Sequence, residues 1–242
     1  MLTARLKYLG LKPGDRVLDL GCGEGRHVHG LYQMDGLHIH GVDLHEPSLK
    51  KAQEGLDFLK KPPEEETGSV QLETGDATAL RFEDDTFDAI ICSEVLEHLP
   101  DYQAALAEMR RVLKPTGKLC ITVPHAWPER ICWQLAPPPN GYAFEPGGHI
   151  RIFDEVDLKV SVERIGFKLF KRHHAHGIHV PYWWLKCANW ERRDDHPWVK
   201  AYHRFLVWDL MKKPLLTRAL DALISPFMGK SMVLYFDSRD LS

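Results

Sequence analysis

The sequence predicts an α/β protein with a doubly wound, mainly parallel sheet, and three observations indicate this class. Short apolar segments rich in β-branched residues alternate with helix-like segments over the first 170 of the 242 residues. A glycine-rich turn follows the first strand-like segment, and an acidic residue, Asp43, follows the second. Right-handed crossovers between parallel strands account for this order. The length suits one large domain, 1–242, that carries an insertion.

The predicted strands are short and apolar, as expected where helices cover both faces of a sheet. Seven are predicted, at 16–20, 38–42, 70–73, 87–92, 118–123, 167–171 and 232–237. Helices are predicted between them at 27–33, 47–60, 102–113 and 154–164. This alternation is typical of βαβ units.

Two segments interrupt the alternation. Residues 124–150 are rich in proline, glycine and aromatics, which predicts a long loop acting as a lid. Residues 173–230 separate the last two strands and are predicted to form an aromatic-rich helical insertion that covers the binding site. Within it, apolar residues at Val199, Tyr202, Leu206 and Leu210 indicate a helix.

Composition excludes several classes of protein. The net charge of −3 does not favour nucleic acid as a partner, although residues 171–242 carry 12 basic and 7 acidic side chains, a balance of +5. Five cysteines without a CxxC pair indicate neither a zinc ribbon nor a disulfide framework. No segment has the pattern of a secretion signal or the roughly 18 apolar residues of a membrane span, so we expect a cytoplasmic protein.

The turn after the first strand predicts a nucleoside site. VLDLGCGEG places Gly21, Gly23 and Gly25 at alternate positions between a strand and a helix, so that a ligand can lie against bare backbone. In a doubly wound sheet the Asp43 carboxylate would reach the same crevice and accept hydrogen bonds from ribose hydroxyls. Asp19 lies two residues before the first glycine; its carboxylate would repel a pyrophosphate but suits an ammonium and a sulfonium group.

At these residues the chain resembles the class I S-adenosylmethionine-dependent methyltransferases, particularly the subgroup that shares its domain with ubiquinone-type methyltransferases. The resemblance covers about residues 10–170 and includes GDAT at 75–78, FDAIICSEVLEHLPD at 87–101 and LKPTGKL at 113–119. It implies a Rossmann-like fold whose last strand is antiparallel, and S-adenosyl-L-methionine as cofactor. The alternatives are a nicotinamide oxidoreductase, disfavoured by Asp19 and Arg26, and a non-catalytic nucleotide-binding protein of the same fold.

The resemblance also implies which residues bind the cofactor. Asp76 would contact the adenine amino group, Ala77 would offer its backbone N–H to the ring, and Ser93 and Glu94 would border the methyl group. With the turn and its neighbours, the predicted cofactor residues are Asp19, Gly21, Cys22, Gly23, Gly25, Asp43, Leu44, Asp76, Ala77, Ser93 and Glu94. His98 is expected to have a local structural role.

Transfer to a hydroxyl needs a base, and histidine suits that task at neutral pH. By resemblance, His149 in GGHIRIF is the predicted base and Arg151 an anchor for the substrate, with His125 as the further candidate. The fourth strand ends in CSEV, without the Asn/Asp-Pro-Pro-Tyr run of many amino-methylating relatives. This favours oxygen of a small or lipid-linked acceptor over nitrogen or carbon, which remain the alternatives.

Aromatic residues of the two interrupting segments would form a roof that excludes water from the acceptor. They are Trp127, Trp133, Tyr142, Phe144, Tyr182, Trp183 and Trp184. His174 and His176 are predicted to line the acceptor pocket, whereas Trp198 and Trp208 are expected to bury their helix against the core.

Two features of the insertion could indicate a metal ion or a membrane surface as a further partner. The histidines at 173, 174, 176 and 179 have no carboxylate at ligand-like spacing, so no metal is predicted. The stretch 211–228 is basic and amphipathic, which is typical of membrane-surface helices. Because Asp209 and Asp221 interrupt the basic face, a solvated surface is favoured over peripheral membrane contact.

Overall fold

The computed structural model describes residues 2–59, 67–145 and 147–238. The predicted class is confirmed: seven strands form one sheet in the order β3-β2-β1-β4-β5-β7-β6. The strands are β1 (Arg16–Leu20), β2 (His38–Asp43), β3 (Ser69–Thr74), β4 (Phe87–Ser93), β5 (Leu113–Pro124), β6 (Phe167–Ala175) and β7 (Ser231–Ser238). Only β7 runs antiparallel to its neighbours, β5 and β6.

The helices lie where the sequence predicts them, with one addition. They are α1 (Arg26–Tyr32), α2 (Glu46–Leu59), α3 (Tyr102–Val112), α4 (Ala126–Leu135), α5 (Glu155–Arg164), α6 (Val180–Ala188), α7 (Pro197–Lys212) and α8 (Leu215–Met228). The last residue predicted for the second helix, Lys60, lies outside the described residues.

Alternation along the strands places side chains on two separate cores. Leu18, Ile90 and Ile121 point to the face covered by α3 and α5. Val17, Ile39 and Ile91 point to the opposite face, which α1 and α2 cover. Because both of their faces are buried, the central strands β1 and β4 are mainly apolar, whereas the edge strand β3 is polar and largely exposed.

The strand order reverses between β1 and β4, which are hydrogen-bonded neighbours with different crossover directions. In open α/β sheets such a switch point leaves a crevice outside the carboxyl ends of the strands. The glycine turn after β1 and the residues that follow β4 both lie at this place. The fold therefore positions the candidate site.

The prediction of a loop over all of 124–150 is wrong in part, because residues 126–135 form α4. Pro128 lies in the first turn of this helix, where a missing N–H is tolerated. Pro128 and Cys132, one turn apart, are buried, and Cys132 packs with Cys187 of α6. Tertiary packing therefore makes a helix of a segment whose composition is typical of a loop.

The helical insertion before the last strand is present, but it begins later than predicted. β6 continues to Ala175, because Arg172–Ala175 pair with Leu234–Ser231 of β7. Helices α6, α7 and α8 follow. Among the described residues, none of the helices combines the length and apolar character needed to cross a membrane.

The insertion turns an unexpected surface to solvent. Trp198 is 71% exposed and Trp208 is also exposed, so the expectation that they bury α7 against the core is wrong.

Helix α8 has its polar residues buried and its apolar residues exposed, the reverse of the usual arrangement. Thr217 and Ser225 are buried. Its apolar residues at the spacing i, i+4, i+7, i+11 are exposed. We call these the α8 stripe: Leu216, Leu220, Leu223 and Phe227.

Candidate active site

The glycine turn leaves β1 with a backbone that only small residues accept. Gly21 has φ +68°, and a Cβ there would lie 2.2 Å from a methyl group of Val95. Gly23 has φ +52°, and a Cβ there would meet open space. The turn thus packs against the β4 loop on one side and presents bare backbone on the other, which fits a ligand lying against it.

A cavity of about 1030 Å³ opens at this turn, a size that suits a nucleoside cofactor. Nine of the eleven predicted cofactor residues line it: Gly21, Cys22, Gly23, Asp43, Leu44, Asp76, Ala77, Ser93 and Glu94. Asp19 and Gly25 are not among the lining residues. His98 is, although the sequence suggested only a structural role for it.

Two carboxylates that line the cavity accept hydrogen bonds from neighbouring loop residues. Asp43 accepts hydrogen bonds from the backbone N–H groups of Gly23 and His45, both at 2.8 Å. Asp76 accepts from the backbone N–H and the hydroxyl of Thr78, and these bonds lower its pKa. Each carboxylate keeps lone pairs for further donors. Asp43 is thus placed both to fix the turn and to receive hydroxyl groups.

Asp19 lies beneath the turn and is buried. One of its oxygens accepts from the backbone N–H of Val28 at 3.2 Å, and the other is 4.0 Å from Nδ1 of His27. Burial raises the pKa of Asp19 to about 7 and lowers that of His27 to about 3. Asp19 does not line the cavity; its bond to Val28 supports the helix that follows the turn.

Glu94 occupies the tip of β4 in a left-handed conformation, with φ +57°. Such strain in a residue other than glycine is typical of functional sites. Its Oε1 accepts from the Thr122 hydroxyl at 2.9 Å, which in turn shares a hydrogen bond with Ser93. Its Oε2 is 3.8 Å from Nζ of Lys230. Glu94 is thereby held at the edge of the cavity.

Two hydrogen bonds bring His149 to the loop after β4. Nδ1 of His98 donates to the carbonyl of Gly148 at 3.1 Å, and the N–H of Ile150 donates to the carbonyl of Glu97 at 3.0 Å. These contacts flank His149 on both sides. The rings of His98 and His149 meet edge to face, with centroids 5.0 Å apart.

Glu129 of α4 orients the His149 ring. Its Oε1 accepts from Nδ1 of His149 at 2.6 Å and from Nε1 of Trp133 at 3.1 Å. A neutral imidazole that donates through Nδ1 keeps its lone pair on Nε2. The lid segment thus supplies both the histidine and the carboxylate that sets its tautomer.

Glu97 is fully buried, with 0% exposure. Neither carboxylate oxygen has a hydrogen-bond partner among the described residues. Burial and the nearby Glu94 raise the pKa of Glu97 well above its ordinary value. Oε1 lies 4.0 Å from Nε2 of His98. A buried carboxyl without a donor is costly to leave unmatched.

The other two predicted catalytic residues are engaged by protein groups. Arg151 donates to the carbonyl of Pro100 at 2.8 Å and lies over the Tyr102 ring. His125 stacks on His174 with centroids 4.0 Å apart, and burial lowers its pKa to about 4. The structure therefore brings His149 to the β4 loop, whereas His125 belongs to a separate histidine pair.

The predicted aromatic roof divides into parts. Tyr142 contacts both His149 and Trp183, with centroids 5.5 and 5.8 Å away. Trp127 donates to the carbonyl of Phe227 and Tyr182 packs on Tyr202, so these two lie against the insertion. Of the histidines predicted to line the acceptor pocket, His176 contacts Thr3 and His179.

Glu97, Glu129 and Lys230 were not among the predicted site residues, and His98 was expected to have only a structural role. SEVLEH carried a usable signal, because three ionisable residues follow the end of a central strand. Glu129 and Lys230 had no such signal, since their approach depends on how α4 and β7 pack.

Comparison with known proteins agrees with this site. The family model described as a methyltransferase domain matches residues 11–136, just over half of the chain. The chain is 34% identical over 117 residues to phosphoethanolamine N-methyltransferase 2 of Caenorhabditis elegans, covering 48% of this chain and 25% of that protein. It is 35% identical over 114 residues to demethylmenaquinone methyltransferase of Staphylococcus aureus, covering 46% and 44%.

Each match therefore spans less than half of the curated relative. A solved structure of phosphoethanolamine N-methyltransferase 2 of Haemonchus contortus with S-adenosyl-L-methionine superposes with a TM-score of 0.60 at 20% identity, covering 97% of this chain and 51% of that one. The [4+2]-cyclase SpnF superposes with a TM-score of 0.62 at 19% identity, covering 97% and 78%. These likenesses show the fold.

The matched segment contains the glycine turn, Asp43, Asp76 and the β4 loop, which together line the cavity described above. The chain thus belongs to the methyltransferase-domain family.

Proposed function

We propose that the chain is an S-adenosyl-L-methionine-dependent methyltransferase that acts on a hydroxyl oxygen of a small or lipid-linked acceptor. The observation that carries the proposal is the placement of His149 at the β4 loop, with Nδ1 bound to Glu129. That arrangement leaves Nε2 of a neutral ring able to activate a hydroxyl, either by taking its proton or by holding a cation that acidifies it. The cofactor, when bound, supplies a methyl group already activated by its sulfonium.

The remaining residues of the site would position the reactants. Asp43 and Asp76 suit the ribose and adenine of the cofactor, while the backbone of Gly21 and Gly23 accommodates its amino-acid part. Glu94 borders the cavity where β4 ends. Holding the reacting groups in line can supply about 7–11 kcal/mol of the barrier.

The two interrupting segments would form the acceptor cover, 124–150 as the lid and 173–230 as the insertion. Tyr142, which contacts His149, and Trp183, which packs on Tyr142, make the nearest part of this cover. Arg151 would fix the lid to the loop at Pro100 and Tyr102 and so act as a positioning residue. His125 would support the cover through its contact with His174.

The proposal is tested by locating the transferred methyl group. The chain is incubated with methyl-labelled S-adenosyl-L-methionine and, in turn, with each of four probes: a catechol, a sugar, a long-chain quinol and a primary amine. We expect label in a base-stable ether of a hydroxyl probe, identified by mass spectrometry. Label that appears only on nitrogen or carbon would contradict oxygen transfer and leave the cofactor assignment intact.

The inverted helix α8 favours the lipid-linked member of this acceptor class. In the sequence, Asp209 and Asp221 seemed to interrupt the basic face and so disfavoured membrane contact. In the structure, both side chains face the protein. Asp209 is buried, and Asp221 accepts the backbone N–H of Ile178 at 3.0 Å. The α8 stripe is left exposed, with Leu216 80% and Phe227 74% accessible.

Two exposed basic residues, Lys212 and Lys213, precede helix α8 in the chain. Each buried leucine or phenylalanine side chain contributes about 1.5–3 kcal/mol to binding an apolar phase. Each basic residue near an anionic bilayer adds about 1 kcal/mol. This combination suits an anionic lipid surface, so we propose that α8 rests on one and brings the site to a lipid-linked acceptor.

We expect the chain to float with vesicles that contain phosphatidylglycerol, and the double variant Leu216→Glu, Leu223→Glu to remain at the bottom of the gradient. Phe58→Glu is the matched control, because Phe58 is an equally exposed apolar residue on α2. The chain failing to float, or the double variant abolishing a dimer in place of vesicle binding, would refute the lipid surface.

A further inference from the structure

Three metal-ligating side chains converge beside the cofactor cavity. One carboxylate oxygen of Glu97 and one ring nitrogen each of His98 and His149 lie within 4.8 Å of one another. Within the described residues this is the one such group of three. The histidines at 173–179, which the sequence singles out, do not form one: His173 stacks on Tyr235, and His174 on His125.

Both imidazoles are prepared as ligands by hydrogen bonds on the same ring nitrogen. Nδ1 of His98 donates to a backbone carbonyl, and Nδ1 of His149 donates to the carboxylate of Glu129. In proteins a metal-ligating histidine almost always donates its other N–H to a carbonyl or a carboxylate. The bonds fix the tautomer in which Nε2 carries the lone pair.

Glu97 points to the same conclusion independently. It is fully buried, and both of its oxygens lack a donor among the residues described. Buried carboxylates are matched by a cation or by several hydrogen bonds. The nearest histidine, His98, is 4.0 Å away, which exceeds hydrogen-bond distance.

We infer that Glu97, His98 and His149 hold a divalent transition-metal ion. Two imidazoles and one carboxylate suit Zn²⁺, Mn²⁺ or Fe²⁺ better than Mg²⁺ or Ca²⁺, which favour oxygen ligands. Two histidines and one carboxylate leave more than one coordination position open for a substrate. Because His98 also lines the cavity, these open positions would adjoin the bound cofactor.

The role of this ion rests on the proposed oxygen acceptor. Coordination lowers the pKa of a hydroxyl, so that its proton leaves to water. The acceptor oxygen then bonds to the methyl carbon while the carbon–sulfur bond breaks, and the electron pair of that bond returns to sulfur. The products are an ether and S-adenosylhomocysteine. A catechol or another vicinal diol is the favoured acceptor class, because two oxygens can bind the same ion.

Metal binding is tested on the full chain after treatment with a chelator. Calorimetry with Zn²⁺ and electron paramagnetic resonance with Mn²⁺ should show one ion per chain. His98→Ala and His149→Ala should each abolish this binding. Glu129→Gln, which only weakens the orientation of His149, should reduce affinity about 10–100-fold.

His174→Ala is the matched control for histidines of the insertion and should bind the ion as the unchanged chain does. The inference is overturned if no ion binds, or if His174→Ala abolishes binding and His98→Ala does not. It also fails if the stripped chain methylates a hydroxyl probe at the full rate, which would leave oxygen transfer standing with His149 as base. An ion that binds while only nitrogen or carbon is methylated would instead refute the proposed function.

Discussion

Replacing Asp43 by alanine should lower the affinity for S-adenosylhomocysteine about 10²–10⁴-fold. Hydrogen bonds to a charged group contribute about 1.5–3 kcal/mol each, and Asp43 is placed to receive two from a ribose. The substitution also removes the acceptor that holds the N–H of Gly23, so the turn loses a support. Isothermal titration calorimetry with S-adenosylhomocysteine measures the change.

Two variants bracket this result. Asp43→Asn keeps one acceptor oxygen and should lose less affinity than the alanine variant. Asp194→Asn removes an exposed carboxylate on the far side of the insertion and should bind as the unchanged chain does. Circular dichroism establishes that each variant is folded. An Asp43→Ala variant that binds within twofold of the unchanged chain would show that the ribose lies elsewhere.

His149→Ala should lower turnover with the best hydroxyl probe by about 10²–10⁴-fold. This is the usual contribution of a group that takes a proton from the reacting hydroxyl. Its affinity for S-adenosylhomocysteine should stay the same, because His149 does not line the cofactor cavity. Turnover is followed as labelled methyl groups transferred, and cofactor affinity by calorimetry. The separation of the two quantities distinguishes a role in chemistry from a general loss of structure.

The turnover of Glu129→Gln should lie between that of His149→Ala and that of the unchanged chain. Glutamine still accepts the hydrogen bond from Nδ1 of His149, but it carries no charge. His203→Ala, an exposed histidine of α7, is the matched control and should keep full turnover. Equal turnover in His149→Ala and in His203→Ala would remove His149 from the chemistry.

The cofactor half of the molecule could be predicted because its signals are local. A strand that is buried on both faces must be apolar throughout, and a turn that bends as at Gly21 and Gly23 needs glycine. Asp43 and Asp76 follow strands, so their position at the carboxyl edge of the sheet follows from topology alone. Nine predicted residues consequently line the cavity.

The acceptor half could not be predicted in the same way, because its residues meet through tertiary contacts. Glu129 reaches His149 only because residues 126–135 form a helix, which their proline and tryptophan content did not indicate. Asp221 appeared to break a basic face, yet it bonds inward to Ile178. Sequence periodicity identifies a helix, but does not show which face the protein leaves exposed.

This division matters for function, because the fold alone does not determine the reaction. The curated relatives match about half of the chain, and the proteins with this fold include a [4+2]-cyclase as well as methyltransferases. In this chain the cluster of Glu97, His98, Glu129 and His149 lies at the β4 loop, beside the cavity. The reaction depends on where the cofactor's sulfur lies relative to that cluster.

A crystal structure with S-adenosylhomocysteine tests this point most directly. We predict that the ribose hydroxyls contact Asp43, the adenine lies beside Asp76 and Ala77, and the sulfur faces Glu94 and His98. An acceptor oxygen bound near His149 would then lie about 3–3.5 Å from the transferred methyl carbon. A sulfur that points away from the β4 loop, toward Asp76 or solvent, would contradict the account.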